Sequence, residues 1–169
     1  MSVEFASIRD RFKPILMSSD KIAGHLEITN LSSELDEEEV QEFAKHFKVY
    51  KLSEGDVLFT EGDPESYMGV LIKGKLAVVK PDGNGVPLKI SEIKPGKTVG
   101  EMSLIDGQPR SASIHVEEEA FVMVLYQGKF NDILEHQPKL GVKLLMYLMR
   151  LMSARLRMTS NTVALSLSR

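Results

Sequence analysis

Gly100-Glu101-Met102-Ser103-Leu104-Ile105-Asp106-Gly107-Gln108-Pro109-Arg110-Ser111-Ala112-Ser113 sets one acid and one guanidinium into a stretch otherwise built from small and apolar residues. Gly100 and Gly107 bracket its first half. A proline precedes Arg110, and three small side chains follow it. Taken alone, Glu101 and Arg110 would read as an ion pair that fixes a loop inside one domain. The small run at 111–113 adds something an ion pair does not need, because it lets a backbone come close to an oxyanion facing the planar donor fork of an arginine.

Outward from this stretch, the chain from about Val49 to Tyr126 reads as short β-strands cut by turns. Val57-Leu58-Phe59, Val70-Leu71-Ile72, Leu76-Ala77-Val78-Val79, Leu88-Lys89-Ile90 and Phe121-Val122-Met123-Val124-Leu125 are the strand candidates. Asp82-Gly83-Asn84-Gly85 holds two dipeptides that tolerate positive φ, a hairpin signal between strands ending near Lys80 and starting near Pro87. Many short antiparallel strands imply a barrel or sandwich, and the uneven glycine spacing excludes a solenoid.

Helices are expected on both flanks. Ser32 and Ser33 precede the acidic run Asp36-Glu37-Glu38-Glu39, which suits a first helical turn, and Val40, Phe43, Ala44 and Phe47 then recur at the spacing of one buried face. Upstream, Phe5, Ile8 and Phe12 fall on one possible short helix. Downstream, Gln127 to about His136 forms a short helix that Pro138 separates from a longer one, Lys139 to about Leu165, roughly 40 Å long at 1.5 Å per residue. Leu145, Leu148, Met152, Arg155, Thr159 and Thr162 step along it by threes and fours. That is the spacing of a coiled-coil seam, or of a stripe packed on its own domain.

Composition narrows the function classes. With 169 residues, 43% hydrophobic and 27% charged, the chain can bury a core without crosslinks. It has no cysteine, which excludes disulfides, thiol catalysis and thiolate metal sites. A net charge of −3 gives no overall basic surface for nucleic acid. No run of about 18 apolar residues spans a membrane, and Met1 to Arg11 does not pattern as a secretory leader, so a cytoplasmic location is expected. Asn30-Leu31-Ser32 matches a glycosylation triplet that occurs often by chance.

The quoted stretch closely resembles the phosphate-binding cassette of cyclic-nucleotide-binding domains. That family's pattern is Gly-Glu-aliphatic-small-Leu, a short loop, then Pro-Arg-small-Ala-Ser/Thr, and every position is met. Gly55-Asp56-Val57-Leu58-Phe59, Glu61-Gly62-Asp63 and Ile72-Lys73-Gly74-Lys75-Leu76 fit the upstream signature, so the resemblance runs from about Leu31 to Thr162. It implies a mainly β fold with flanking helices: an antiparallel β-roll of about eight strands, jelly-roll-like, plus a long C-terminal helix. Three segments follow, with 1–30 a helical extension, 31–138 the β-roll and 139–169 a dimerisation helix.

The residue chemistry agrees. A cyclic phosphodiester carries one negative charge and two free equatorial oxygens, which suit the Arg110 fork. Ser111 adds a hydroxyl, and backbone N–H groups in a short helical turn after Gly107, up to Ala112, add more donors. Glu101 offers acceptors to a ribose 2′-hydroxyl and repels a second phosphate. By resemblance, Gly100 and Ala112 complete the cassette, and Val78, Ile90, Ser91, Val99 and Met102 line the pocket. On the long helix, Thr159 and Ser160 match residues that reach the adenine amino group, one from each subunit, while Arg155 matches an arginine near the glutamate and ribose. The ligand expected is cyclic AMP, with cyclic GMP the other candidate; Ser111 in place of threonine, together with Thr159-Ser160, leans toward adenine. The implied protein is not an enzyme and carries no cofactor or metal. It is a homodimeric sensor that signals through a downstream protein partner, and with the chain ending at Arg169, direct DNA binding is not expected.

Two features depart from the pattern or compete with it. Thr98-Val99 precede Gly100 where many members carry an aromatic, so the pocket packs differently there. Gly96-Lys97-Thr98 imitates the end of a P-loop, but Ser91 stands where the motif needs its first glycine. Two other functions compete with the sensor. A cupin-like barrel enzyme needs clustered histidines, whereas His25, His46, His115 and His136 are scattered. A degenerate module that binds nothing is the other.

Overall fold

The computed structural model describes residues 6–167, with only the backbone of Leu167. Phe5 lies outside the described residues. Ile8 does open a short helix, α1 (Ile8–Arg11), whose first turn is closed by a reciprocal capping box between Ser7 and Asp10. A two-residue strand follows, β1 (Pro14–Ile15), then α2 (Ser19–Glu27), a 3₁₀ turn over Asn30–Ser32, and α3 (Glu37–Ala44). Asp36, not the serines before it, caps α3, with Glu39 reaching back to the Asp36 backbone N–H. Val40, Phe43 and Ala44 form its buried face. Phe47 continues that apolar spacing but already belongs to β2 (Phe47–Leu52), because the chain turns from helix to strand without leaving the core.

The remaining elements are β3 (Val57–Phe59), β4 (Tyr67–Pro81), β5 (Pro87–Ile93), β6 (Thr98–Val99), α4 (Glu101–Asp106), β7 (Ser113–Tyr126), α5 (Gln127–His136) and α6 (Pro138–Leu167). The strands pair antiparallel in one sheet of order β1-β2-β7-β4-β5, with β3 added on β7 and β6 on β4. This is the mainly β fold with flanking helices, with seven strands where about eight were expected. Part of the difference is fusion. The runs at Val70–Ile72 and Leu76–Val79 are one strand, β4, bent through Gly74 at φ +93°. A Cβ there would lie 2.3 Å from the Glu119 carbonyl oxygen, so no side chain fits the crossing. The expected hairpin closes as Asp82 Oδ1 accepts the N–H groups of Asn84 and Val86, with Gly85 at φ +81°.

Alternation along the strands feeds two apolar cores, one on each face of the sheet. Tyr67 and Leu71 of β4, with Val122 and Val124 of β7, point into the roll. Met68, Val70, Met123 and Leu125 point the other way, against α2, α3, α5 and α6. Ile8 joins the interior core, Ile22 and Leu26 join the helical one, and so do Leu140, Leu144 and Leu148. The boundaries drawn at residues 30/31 and 138/139 therefore pass through packed contacts.

Helix α6 spans 30 residues, about 45 Å at 1.5 Å per residue. Its rotation is set where it starts, since Gly141 packs so tightly on Leu134 that a Cβ would sit 2.8 Å from Leu134 Cδ2. Leu148 is buried and Leu145 packs on the helical core, so the first part of this stripe faces its own domain, while Thr159 and Thr162 at its other end are exposed. Val142, Met146, Met149, Ser153 and Leu156, also spaced by fours and threes, form the exposed stripe instead. Among the described residues, no helix is long and apolar enough to cross a membrane.

Candidate ligand-binding site

The loop between β6 and β7 carries the site. Gly100 (φ +74°) and Gly107 (φ +65°) both adopt the left-handed conformation, and between them the chain makes the single short helix α4. The helical turn thus precedes Gly107; residues 107–112, where a turn was expected, run as a non-helical loop. At Gly100 the constraint is doubled, because a Cβ would lie 2.5 Å from Arg110 Nη1 and 2.8 Å from the Tyr67 carbonyl oxygen.

Arg110 is 2% exposed. Its Nη1 donates to the carbonyls of Tyr67 (2.8 Å) and Gly100 (3.0 Å). Its guanidinium carbon lies over the rings of Phe59 (4.0 Å) and Tyr67 (4.2 Å), a cation–π arrangement that fixes the plane of the fork. Main-chain bonds from Gly62 to the Arg110 carbonyl and from Arg110 to the Asp63 carbonyl tie the residue to the preceding turn. Burial pulls the guanidinium below its ordinary pKa, while still leaving a cation at neutral pH.

Glu101 is 1% exposed. It forms an ion pair with Arg155 of α6, which also donates from Nη2 to the Thr98 carbonyl (3.1 Å). Burial pulls the Arg155 guanidinium down as well. Glu101 and Arg110 are not paired with each other, so the loop-fixing ion pair is not what the structure contains.

The unpaired atoms are the informative ones. Among the described residues, six buried side-chain polar atoms lack a hydrogen bond of regular geometry. Five of them, Thr98 Oγ1, Glu101 Oε1 and Oε2, and Arg110 Nε and Nη2, belong to residues lining one cavity; the sixth is His46 Nε2. For Glu101 Oε1 the charge contact with Arg155 holds without accepting a regular hydrogen bond. Each unsatisfied buried group costs about 1–3 kcal/mol, so a cluster of them marks a place built for a further partner.

That cavity brings together Val78, Val99, Gly100, Glu101, Met102, Arg110, Ser111, Ala112 and Arg155, nine of the residues singled out from the sequence. Sequence reasoning missed Phe59, Ile93, Thr98, Ser103 and Ile114, which also line it. Phe59 was within reach as part of the upstream Gly55–Phe59 signature; its stacking on Arg110 requires the β3–β7 pairing to be known. Ile90 and Ser91 stay outside, because β5 is exposed along almost its whole length there. Thr159 lines an adjoining groove with Met102, Ile105, Met152, Arg155 and Leu156, while Ser160 is exposed on α6 and lines neither. The cavity measures about 100 Å³ and the groove about 450 Å³, and Met102 and Arg155 form the wall between them. A wider groove of about 620 Å³ lies between α3 and the α5–α6 junction, but its Glu39 and Glu42 are already paired with Lys143, Lys45 and Gln137. No cluster of three or more acidic or histidine side chains placed for a metal occurs among the described residues.

Comparison with known proteins follows the same loop. The family model for the cyclic nucleotide-binding domain matches residues 49–137. The cAMP-activated global transcriptional regulator CRP of Salmonella typhimurium is 28% identical over 122 residues, 72% of this chain and 56% of that protein. Cyclic GMP-binding protein C of Dictyostelium discoideum is 27% identical over 76% of this chain and 5% of its own length. Among solved structures, a cyclic nucleotide-binding domain from Methylobacillus flagellatus superposes with a TM-score of 0.84 at 27% identity, covering 96% of this chain and 93% of that one. The chain spans a little over half the length of the curated regulator it matches. With a matched core of 89 residues built around Glu101 and Arg110, the chain belongs to the cyclic nucleotide-binding domain family.

Proposed function

We propose that this chain is a sensor module that binds cyclic AMP and passes the bound state to a protein partner through α6. The observation that carries the reading is the convergence on one cavity of five buried polar atoms without a hydrogen bond: Nε and Nη2 of Arg110, both carboxylate oxygens of Glu101, whose charge contact is Arg155, and Thr98 Oγ1. A 3′,5′-cyclic nucleotide has the complementary set. Its phosphate oxygens accept from Arg110 Nε and Nη2, and its free 2′-hydroxyl donates to Glu101. Ser111 and Ala112 bring the backbone of the loop close to that phosphate.

The 100 Å³ cavity is smaller than the about 300–1,000 Å³ of small-molecule sites, so it takes the phosphate and sugar while the base extends into the groove beside Thr159. Passing that wall means rearranging Arg155. Ligand and Arg155 compete for the same Glu101 carboxylate, so a second position of α6 with Arg155 withdrawn would bind ligand more tightly, and ligand would shift the population toward it. The exposed Val142–Met146–Met149–Ser153–Leu156 stripe supports a second copy as the neighbour of α6, in a register other than the one the Leu145–Leu148 spacing suggested.

Calorimetry and melting curves with cyclic AMP, cyclic GMP, cyclic di-GMP and AMP test the reading. Cyclic AMP should bind and raise Tm, while AMP should not. Arg110→Ala and Glu101→Ala should abolish the heat of binding. A folded protein that responds to none of the four ligands is a degenerate module, and the proposal then fails.

A further inference from the structure

We propose that the N-terminal strap, Ser7 to Ile15, is a positioning element for the ligand arginine, acting through the wall on which Arg110 rests. The inference rests on the reading of the cavity above, but its geometry is independent of which nucleotide enters. Glu65, two residues before Tyr67, holds the start of the strap: Ser7 Oγ donates to its Oε1 (2.6 Å) and the Ile8 N–H to its Oε2 (2.9 Å). Arg11 holds the middle, donating from Nη1 to the Val57 carbonyl (2.7 Å) and from Nη2 to the Leu58 carbonyl (2.6 Å). Pro14 and Ile15 pair with β2 and hold its end.

The Arg11 anchor reaches the Arg110 wall directly. The Leu58 carbonyl that accepts from Arg11 also accepts the Tyr67 hydroxyl (3.0 Å), so one oxygen joins the strap to the ring under the guanidinium. Phe59, the other ring against Arg110, is the next residue in the chain. Between the anchors Ile8 is fully buried in the same apolar cluster as Tyr67 and Phe59. Arg9 lies 4.0 Å above the Tyr126 ring, which meets Tyr67 edge-on at a centroid distance of 6.0 Å.

A buried guanidinium with two unpaired nitrogens has little of its own to keep it aimed. Its Nη1 hydrogen bonds to the Tyr67 and Gly100 carbonyls and the two ring contacts hold it, and of the residues that supply them the strap fixes Tyr67 and Phe59. Arg11 does not line the cavity, so it is a positioning residue and not a ligand residue.

The test compares Arg11→Ala with the unchanged protein, in the natural background and in Arg110→Lys, with cyclic AMP as the probe. Arg11→Ala should weaken binding about tenfold in the natural background and less than about twofold beside Arg110→Lys, the non-additivity of coupled sites. Equal losses in both backgrounds would mean the strap serves only general stability, and the inference falls. A second readout needs no ligand. The Arg110 Nε–H resonance in 15N-labelled protein should be displaced by the flanking rings, and should move toward the free-arginine position in Arg11→Ala. An unmoved resonance overturns the inference even if binding changes. If Arg11→Ala does not fold, Glu65→Gln serves the same comparison. Failure of the natural protein to bind cyclic AMP would strike the proposed function and leave the resonance test standing.

Discussion

Substituting Gly100 by alanine probes the site without replacing Glu101 or Arg110. Two costs can be read from the structure. The left-handed backbone at φ +74° costs a residue with a Cβ about 1–2 kcal/mol. The Cβ would also lie 2.5 Å from Arg110 Nη1 and 2.8 Å from the Tyr67 carbonyl oxygen, crowding at once a donor and its acceptor that are 2.8 Å apart. That hydrogen bond, to a charged group and buried, must break or stretch, at about 1.5–3 kcal/mol. Together the loss is about 3–5 kcal/mol, or a Tm lowered by roughly 6–20 °C for a chain of this size. Differential scanning calorimetry measures the melt, and titration of cyclic AMP into the variant below its melt should show binding weakened along with stability. The reasoning is refuted if Gly100→Ala melts within about 1 °C of the parent, because Nη1 would then not depend on that contact.

Gly24 is the control for this argument: it is exposed in α2 with nothing within 4 Å of an added Cβ, so Gly24→Ala should stabilise by about 0.5–1 kcal/mol in a denaturant titration. His46 gives a pH dependence. Burial lowers its pKa below the ordinary 6.5, outweighing the pull of Glu42, and its Nε2 is a buried unpaired atom. The unfolded chain therefore takes up the proton first as pH falls, so this contribution to stability is complete above 6.5 and declines below it toward the folded-state pKa. Chemical denaturation between pH 8 and 5 should show that decline, and His46→Gln should flatten it. On α6, Met149 is 61% exposed in the middle of the outward stripe. Met149→Glu should turn a dimer into monomers in sedimentation experiments with little change in Tm per subunit, whereas an unchanged sedimentation profile would place any self-association elsewhere.

Local signals in the sequence located most of the fold. Val57–Phe59 is a strand over the residues its apolar run marks, and Asp82–Gly85 closes the hairpin that two dipeptides tolerant of positive φ demand. Pro138 separates α5 from α6 because proline cannot continue the helix before it, yet fits the first turn of the next. Features set by distant partners were not legible. β1 and β6 are two residues each and exist only through pairing with β2 and β4, so no window of sequence carries them. The α6 stripe shows the same limit. Two stripes share heptad spacing, and the packing of α6 on its neighbours, including the close approach of Gly141 to Leu134, is what separates the inward from the outward one. In the site, Glu101 and Arg110 were legible because the small and apolar residues around them match a known cassette; taken alone they read as an ion pair. Phe59 was marked by the Gly55–Phe59 signature but not as a site residue, and Ile114 reads as ordinary core.

The same unpaired atoms link stability to function. Arg110 Nε and Nη2 and Glu101 Oε2 are buried without a partner at a cost of about 1–3 kcal/mol each, against a total stability of about 5–15 kcal/mol for a domain. A chain selected for stability alone would replace them with apolar side chains of similar volume. Keeping them makes the folded state depend on what enters the cavity, because a ligand that satisfies those atoms stabilises the native state by RT ln(1 + [L]/Kd). Arg155 extends the dependence to α6. It is the one cation of the long helix that reaches Glu101, so whatever takes hold of that carboxylate alters the anchorage of α6 where, beyond residue 156, the helix is exposed along its length.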